Sequence, residues 1–548
     1  MGIKRHGEVL WPKTHVPPVP VAESPSSPSQ LAPVRKKHHP APEMAKRKLD
    51  AVDASASKKP HRAGSSNSAS SPDAPAEPVS LQIVTGSYER VLHGLIATVE
   101  PQPQAQTQTQ DKPASSVKFA DTFLFNAHAS AIRCIALSPP SEGSDPHSQK
   151  VILASGSTDE RINLYNLSTA PPPKNAQPSI PSLHGTAITQ NPKNRELGAL
   201  THHSATITCL KFPSRSKLFS GADDNCVSIS RTRDWTMLSS IKAPIPKAQG
   251  RPSGDTAAPG EVPSGINDFA VHPSQKLMIS VSKGEKCMRL WNAMTGKKAS
   301  VLTFDRDLLQ NVGEGRWSSG EGRKLEWDPE GEEWVVAFER GFVTYGLDSR
   351  PKAQTLPRPM TKLHQLHYVP NLPSSAGPVL AVSTEDGRIL FYSSASTVTP
   401  AASSDAVKKG REVSVPSCRL LAQLGGRTAG LTSRIKDFEI LPVAEGADRY
   451  FIITGCSDGA VRVWRLNGED LLSEIEEKDE ASDAVKEKGP NVSNTLGAKQ
   501  VGELLGAHEG GNRITCLKAF VMTGAPEEAD ASKEEEDEAS SSDDSDSE

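Results

Sequence analysis

The residues best able to do chemistry in this sequence do not form a known catalytic pattern. The chain has 15 histidines and 66 acidic side chains, but it has no phosphate loop, no Gly-x-Ser-x-Gly elbow and no His-Glu-x-x-His motif. The adjacent His38 and His39 lie in a basic segment, where solvated side chains are a better interpretation than a metal site. We therefore predict that the protein is not an enzyme and uses no cofactor, metal or small-molecule substrate.

Three serines near the C-terminus have the spacing of phosphorylation sites. Ser540, Ser541 and Ser545 each precede an acidic residue by three positions, which is the pattern that acidophilic kinases such as casein kinase 2 modify. Each phosphate would add a charge of about −1.5 to −2 to an acidic segment. Such a segment could bind basic partner proteins or keep the protein away from RNA. Solvation alone is an equally good interpretation.

Other acidic and aromatic positions belong to a repeated hairpin. Residues 453–464 read ITGCSDGAVRVW, in which the Asp-Gly pair favours a tight turn between two short strands. Residues 153–165 repeat the pattern, with a hydroxyl residue four positions before the turn acid and an aromatic residue six positions after it. The turn acids of the repeats are Glu89, Asp159, Asp224, Glu285, Asp386 and Asp458.

A second pattern marks the first strand of each unit, in which an apolar residue is followed two positions later by Cys or Asp and then by another apolar residue. The five copies begin at Ile132, Ile207, Ile266, Ile435 and Ile514. A weaker unit covers residues 325–338. We expect the two acids of this pattern, Asp268 and Asp437, either to line a central channel or to accept hydrogen bonds from a neighbouring unit.

These units predict an all-β protein, a seven-bladed β-propeller. They exceed the roughly 40 to 45 residues of a four-stranded blade, and the excess lies in segments of loop composition at 139–150, 169–195, 243–264, 393–413 and 467–502. The first unit, at 81–95, has a hairpin without a first strand, and the last, at 513–520, has a first strand without a hairpin. We expect the two to join in one blade, because closing the ring removes exposed strand edges.

The two ends of the chain differ from this region in composition. Residues 1–78 lack apolar periodicity and residues 524–548 are rich in Ser and acids, so we predict two disordered extensions around a propeller at 79–523. Residues 1–80 carry 12 basic and 7 acidic side chains, whereas residues 526–548 carry 1 and 12. Two basic clusters are typical of nuclear-import signals, with a solvated segment as the alternative: Arg35, Lys36, Lys37, Lys46, Arg47 and Lys48.

Cysteine content and hydropathy indicate the compartment. The seven cysteines form no Cys-x-x-Cys pair, which argues against both a disulfide framework and a zinc site and favours a reducing environment. No apolar run approaches the roughly 18 residues of a membrane span, and the N-terminus lacks a signal-peptide core. We expect a soluble intracellular protein without a membrane partner.

The units resemble the WD40 repeat, whose signature is a His before the first strand, a hydroxyl in the second strand, an Asp in the next turn and a Trp in the third strand. The matching positions, in chain order, are His128, Ser155, Asp159, Tyr165, His203, Ser220, Asp224, Glu285, Trp291, Asp386, Thr454, Asp458 and Trp464. We interpret them as structural, because a fully satisfied buried hydrogen-bond network stiffens a blade.

The chain is also similar to one family of WD40 proteins. These are large-ribosomal-subunit assembly factors, known in yeast as a maintenance-of-killer protein and in animals as a p21-activated-kinase-interacting protein. The resemblance covers about residues 81–520, and its most specific run is HHSATITCLKF at 202–212. The other runs that carry it lie at 86–92, 220–224, 434–440 and 456–459.

The resemblance implies a non-catalytic scaffold of the nucleus and nucleolus that docks pre-60S assembly factors and ribosomal proteins and supports rRNA processing. The family's C-terminal extension is commonly rich in Lys, whereas residues 534–548 are acidic and would repel RNA, so contact with pre-rRNA is left open. The animal members suggest an alternative, a negative regulator that binds a p21-activated-type kinase.

Overall fold

The computed structural model describes residues 78–100, 116–142, 148–173, 180–181, 187–246, 263–315, 318–373, 377–398, 415–443, 449–472 and 498–523. The basic clusters between Arg35 and Lys48, the serines Ser540, Ser541 and Ser545, and almost all of both predicted extensions lie outside these residues. No helix within the described ranges is long and apolar enough to cross a membrane.

The described residues form seven antiparallel blades, which confirms the predicted seven-bladed β-propeller. The strands of each blade are given from the inside outward; the innermost strand of blade one comes from the end of the propeller sequence and is described below. Blade one contains β1 (Val79–Ser87), β2 (Val91–Val99) and β3 (Val117–Asn126), and blade two contains β4 (Ile132–Leu137), β5 (Lys150–Ser157), β6 (Ile162–Ser168) and β9 (Arg195–Leu200). Blade three contains β10 (Ile207–Ser214), β11 (Lys217–Ala222), β12 (Cys226–Arg231) and β13 (Met237–Lys242), and blade four contains β14 (Ile266–Val271), β15 (Leu277–Ser282), β16 (Cys287–Asn292) and β17 (Lys298–Thr303).

Blades five to seven have the same order of strands. Blade five contains β18 (Lys324–Trp327), β19 (Glu333–Ala337), β20 (Phe342–Gly346) and β21 (Pro351–Thr355). Blade six contains β22 (Leu363–Tyr368), β23 (Val379–Thr384), β24 (Arg388–Val398) and β25 (Ser417–Gly425), and blade seven contains β26 (Ile435–Pro442), β27 (Arg449–Cys456), β28 (Ala460–Asn467) and β30 (Glu503–Glu509). A short helix, α1 (Arg306–Asn311), lies between blades four and five, and a 3₁₀ turn (Arg427–Ala429) lies between blades six and seven.

The last strand closes the ring. β31 (Ile514–Val521) pairs antiparallel with β1, from Leu81 opposite Val521 to Ser87 opposite Ile514. The seven innermost strands, β31, β4, β10, β14, β18, β22 and β26, contact one another in an unbroken cycle. Blade one therefore takes its first strand from the far end of the propeller sequence.

The hydrophobic core consists of separate clusters, one at each interface between neighbouring blades. The described residues contain seven apolar clusters, and each lies between two neighbouring blades. The second strands are covered on both faces, and all six residues of β23 are buried. A strand buried on both faces needs apolar side chains in both directions, which is why these strands are short continuous apolar runs.

Glycines in the second strands allow the first strands to approach closely. Gly86, Gly156 and Gly221 each follow a hydroxyl residue of the repeat. A Cβ atom at Gly86 would lie 2.8 Å from the Sγ atom of Cys516, and one at Gly221 would lie 2.7 Å from the Sγ atom of Cys209. The hydroxyl-Gly pair of the sequence repeat is therefore needed for packing around the channel.

Two of the predicted loop segments contain short strands, and a third, 393–413, begins inside β24, which extends to Val398. In the segment 169–195, β7 (Ile180–Pro181) and β8 (Ala187–Ile188) form a hairpin that extends blade one beyond β3. In the segment 467–502, β29 (Lys499–Gln500) pairs in parallel with β25 of blade six. Both additions cover an outer edge of a neighbouring blade. Strands of two residues have no periodicity that a sequence pattern could reveal.

Candidate functional site: the central channel and its mouth

A histidine links the turn of blade two to its second strand. The ring of His128 lies 2.8 Å from the hydroxyl of Ser155 through Nε2 and 3.1 Å from Asp159 Oδ2 through Nδ1. Burial lowers the pKa of His128, and Asp159 offsets part of this effect. The ring of Tyr165, the fourth predicted position, packs edge-on against Phe125 of blade one, with 5.7 Å between centroids.

Blade three repeats this arrangement. Nε2 of His203 lies 2.8 Å from the hydroxyl of Ser220, and Nδ1 lies 2.9 Å from Asp224 Oδ2. Burial by itself would raise the pKa of Asp224, but the hydrogen bond from His203 and backbone N–H groups hold it below its usual value. The carboxylate is therefore ionised at neutral pH and fixes the turn.

We expect His203→Ala to lower the free energy of unfolding by about 2 kcal/mol, because a buried hydroxyl and a carboxylate lose their shared partner. The adjacent His202 is exposed and provides a matched control, since His202→Ala should change stability by less than about 0.5 kcal/mol. Urea denaturation followed by tryptophan fluorescence measures both variants. Equal effects of the two substitutions would contradict a role for the His203 network.

Arginines hold the turn acids of three further blades. The pairs, measured from Nη2 to a carboxylate oxygen, are Arg289 with Glu285 at 2.6 Å, Arg388 with Asp386 at 2.6 Å and Arg462 with Asp458 at 3.0 Å. These arginines were not predicted, because the signature of the repeat contains a His and no Arg. In blades four and seven, an acid followed four positions later by Arg is the signal that could have identified them.

The predicted tryptophans of blades four and seven bind the second strand. Nε1 of Trp291 donates to the hydroxyl of Ser280 at 2.8 Å, and Nε1 of Trp464 donates to Thr454 at 3.3 Å. Both indole rings are buried. These contacts tie the second and third strands together within the blade.

The first strands surround a central channel of about 730 Å³. Equivalent positions of the seven strands form three rings of side chains, which we call the mouth, middle and far rings. The mouth ring contains Arg133, Thr208, Asn267, Arg323, His364, Lys436 and Thr515; the middle ring contains Cys134, Cys209, Asp268, Lys324, Gln365, Asp437 and Cys516; the far ring contains Ala136, Lys211, Ala270, Glu326, His367, Glu439 and Lys518.

The two acids of the middle ring fulfil both expectations from the sequence. They line the channel, and each accepts a backbone N–H of the next blade: Asp268 from Leu325 at 3.0 Å and Asp437 from Leu517 at 2.9 Å. Burial alone would lower the pKa of Lys324, but these two carboxylates raise it above the ordinary value. The centre of the channel is therefore charged and rigidly connected.

The three thiols of the middle ring are not activated. Burial raises the pKa of Cys209 and of Cys516 to about 12, and it raises that of Cys134 well above its usual value. A nucleophilic cysteine needs a depressed pKa, because the thiolate is the reactive form. These thiols remain protonated at neutral pH and serve as small packing groups.

Charges in the far ring are paired with one another. Nζ of Lys518 lies 2.6 Å from Glu439, and Nδ1 of His367 lies 3.1 Å from Glu326. Nζ of Lys211 donates to the carbonyl of Leu325 at 3.0 Å. Each of these contacts joins two different blades, so the far ring holds the propeller together and has no large excess of either charge.

The uncharged residues of the mouth ring also form hydrogen bonds between blades. Each donates to a backbone carbonyl of the next blade: Thr208 to Ile266 at 2.6 Å, Asn267 to Gly322 at 2.9 Å and Thr515 to Ile132 at 2.7 Å. Three of the seven mouth positions are therefore occupied by structural hydrogen bonds. The other four are basic residues.

Two of these four residues, Arg133 and Lys436, leave an excess of positive charge at the mouth together with Arg513. Arg323 is paired with Glu339 at 3.6 Å, and the pKa of His364, about 4, keeps its ring neutral at pH 7. Within the described ranges, no carboxylate forms an ion pair with the side chain of Arg133, Lys436 or Arg513. The guanidinium of Arg513, which precedes β31, lies over the ring of Tyr88, and its backbone N–H donates to Glu89 Oε2 at 3.0 Å. Nε2 of His364 is buried and has no hydrogen-bond partner among the same residues. The mouth can therefore accept negatively charged groups from a ligand.

Like charges around the mouth shift two pKa values. Burial, followed by the charges of Lys436 and Arg434, lowers the pKa of His364 to about 4. Burial, followed by Arg434 and Arg513, lowers that of Lys436. The repulsion indicates that an anion at this position would find a favourable field.

The titration of His364 predicts a pH dependence of stability. Its folded-state pKa of about 4 lies below the usual 6.5, so the stability that neutral His364 contributes is complete above pH 6.5 and is lost as the pH falls towards 4. The free energy of unfolding of the unmodified protein should fall between pH 6.5 and pH 5. After allowing for partial exposure, we expect this fall to be smaller by about 1 kcal/mol in His364→Gln. Urea denaturation at both pH values, with His202→Gln as the control, measures the difference.

Comparison with known proteins identifies the repeats. The profile of the family described as WD domain, G-beta repeat, matches residues 120–166 and 194–229. The first match contains the His128 network of blade two, and the second contains the His203 network of blade three. Blades two and three of the seven-bladed propeller are therefore WD40 repeats.

Three relatives are similar over most of the propeller. The chain is 25% identical over 404 residues to the p21-activated protein kinase-interacting protein 1-like of Gallus gallus, covering 73% of the chain and 78% of the relative. It is 26% identical over 411 residues to Protein MAK11 of Saccharomyces cerevisiae, covering 72% and 79%. It is 26% identical over 386 residues to the p21-activated protein kinase-interacting protein 1 of Homo sapiens, covering 70% of each.

Proposed function

We propose that this WD-repeat scaffold for protein interactions acts in the biogenesis of the large ribosomal subunit. It is non-catalytic, it docks assembly factors and ribosomal proteins on pre-60S particles in the nucleolus, and it supports rRNA processing. The observation that carries the docking role is the positive mouth of the channel, where the side chains of Arg133, Lys436 and Arg513 form no ion pair with a carboxylate of the described residues. Sequence similarity to MAK11 and the family runs at 202–212 and 434–440 support the ribosomal context.

The dimensions of the channel favour a single acidic segment of a protein as the ligand at its mouth. A volume of about 730 Å³ is that of a small-ligand pocket, and an RNA duplex is too wide to enter it. A Glu or Asp side chain of an extended peptide could reach the guanidinium of Arg133 or Arg513, which favour planar carboxylates. Contact with pre-rRNA is not required by this mode of docking.

The acidic residues 526–548 would provide a contact of the opposite sign. They carry 1 basic and 12 acidic side chains, and phosphorylation at Ser540, Ser541 and Ser545 would add further negative charge. Basic ribosomal proteins are suitable ligands for such a segment. The scaffold could therefore hold an acidic partner at the mouth and a basic partner at residues 526–548 at the same time.

Purification of the tagged full-length protein from cells, followed by identification of the associated proteins and RNA, tests the proposal. We expect pre-60S assembly factors and large-subunit rRNA precursors to co-purify, and depletion of the protein to cause those precursors to accumulate. The same purification with Arg133→Glu/Lys436→Glu/Arg513→Glu should lose the partner at the mouth. Normal rRNA processing after depletion would reject the ribosomal role.

A second function is favoured by the names of the relatives. The proteins of Gallus gallus and Homo sapiens are named as interacting with a p21-activated kinase, so a role as a negative regulator of such a kinase is the alternative. A pull-down with the isolated kinase domain, together with an assay of kinase activity, distinguishes the two functions. Binding with reduced activity would favour regulation, whereas absence of binding would leave the ribosomal role.

A further inference from the structure

Three potential metal ligands meet where the ring closes. His93 of β2, Asp121 of β3 and His508 of β30 each offer one ligand atom, and these three atoms lie within 4.8 Å of one another. Nε2 of His93 lies 2.9 Å from Asp121 Oδ1, and Nε2 of His508 lies 3.8 Å from the same oxygen. The cluster joins blade one, which supplies the first two residues, to blade seven.

The local fold positions these side chains. The pairing of β2 with β3 shifts between Gly94 and Leu95, and such a bulge changes the direction of the side chains that follow it. His93 and Asp121 are only 7% and 6% exposed. The ring of His508 packs against Phe119 of β3, with 5.5 Å between the centroids.

A hydrogen-bonded pair does not account for all three residues. The 2.9 Å between His93 and Asp121 is that of a hydrogen bond, but the 3.8 Å between His508 and Asp121 exceeds one. Next to the cluster lies a cavity of about 10 Å³ lined by both histidines. That volume is about the minimum for one water molecule. The cluster thus has a third ligand that the pair does not need and room for a fourth.

We propose that His93, Asp121 and His508 bind one divalent transition-metal ion of the zinc class, with a water molecule as the fourth ligand. Ligand bonds of about 2.0 to 2.2 Å in a tetrahedron place the ligand atoms roughly 3.4 Å apart, and the two distances to Asp121 lie on either side of this value. Two imidazoles and one carboxylate favour zinc over calcium or magnesium, which prefer oxygen ligands.

The ion would link blade one to blade seven at the point where the ring closes. His508 lies six residues before the first residue of β31, so its attachment to blade one holds in place the segment that leads into the closing strand. The cysteine spacing that argues against a zinc site in the sequence does not bear on this cluster, because its ligands are His and Asp from three separate strands.

Metal binding to the full-length protein without an affinity tag tests the proposal. We expect one equivalent of Zn²⁺ to bind, Co²⁺ to give the visible absorption of a tetrahedral site, and the melting temperature to rise with Zn²⁺. The half-buried His508 is the ligand to substitute first, and His508→Ala should weaken binding of Zn²⁺ at least 10-fold. The control His38→Ala/His39→Ala, which removes the adjacent histidine pair, should bind Zn²⁺ as the unmodified chain does.

A second variant separates loss of a ligand from loss of folding. Thiolate is also a zinc ligand, so His508→Cys should restore binding and give Co²⁺ a thiolate charge-transfer band that the unmodified protein lacks. The proposal is overturned if the folded protein binds no Zn²⁺, or if His508→Ala binds it as tightly as the unmodified chain. Binding that is lost in His38→Ala/His39→Ala would also overturn it.

Discussion

A chain that ends at residue 512, before the closing strand, is expected to lose its cooperative unfolding transition. The truncation removes the pairing of β31 with β1 and the buried side chains of Ile514, Leu517 and Ala519. Burial of each large apolar side chain contributes about 1.5 to 3 kcal/mol, so the loss amounts to roughly 5 kcal/mol or more. That is comparable to the whole stability of a typical domain.

A chain that ends at residue 523 is the matched control, because it keeps β31 and lacks only the acidic residues that follow. We expect it to unfold at the same urea concentration as the full-length protein. Circular dichroism and tryptophan fluorescence should report one coincident transition for the control and none for the shorter chain. A normal transition in the chain that ends at residue 512 would show that the ring does not depend on this strand.

The second large effect is expected at the mouth of the channel. Arg133→Glu/Lys436→Glu/Arg513→Glu should weaken binding of a fluorescein-labelled oligoglutamate peptide by about 100-fold. Each substitution replaces an attraction with a repulsion and costs about 1 kcal/mol at a partly exposed site, which gives about 3 kcal/mol in total. Fluorescence anisotropy at several salt concentrations measures the affinity, which should fall as the salt concentration rises.

A control with the same change in net charge separates the mouth from the surface as a whole. Lys242, Lys297 and Lys298 are exposed on outer strands or turns of blades three and four, and Lys242→Glu/Lys297→Glu/Lys298→Glu alters the protein charge by the same amount. This control should retain binding within about threefold. Equal losses in the two triple variants would indicate general attraction, and the mouth would then have no special role.

The repeated hairpins, together with the weaker unit at 325–338, were sufficient to predict the propeller and its number of blades. An Asp-Gly turn with a hydroxyl residue four positions earlier is a local pattern, because its residues contact one another within one hairpin. The first strands of blades five and six lack the pattern, because Lys324 and Gln365 occupy the position of Cys or Asp. These strands form because of their contacts with neighbouring blades. The five-copy pattern therefore missed them.

The mouth could not be predicted, because its residues are far apart in the chain. Arg133, Lys436 and Arg513 become neighbours only after seven strands are arranged in a circle. In the sequence each is one basic residue among 62. The cluster of His93 with Asp121 and His508 depends in the same way on a bulge and on the closure of the ring.

The pairing of β31 with β1 determines when the protein can finish folding during synthesis. The hydroxyl of Thr515 lies 2.9 Å from the carbonyl oxygen of Gly86, 429 positions earlier. The inner edge of the first hairpin therefore stays unpaired until nearly the whole propeller has left the ribosome. Domains generally fold as units while translation continues at roughly 5 to 20 residues per second. The emerging chain therefore presents an unpaired β-edge for tens of seconds, and chaperones that shield strand edges have that interval in which to act.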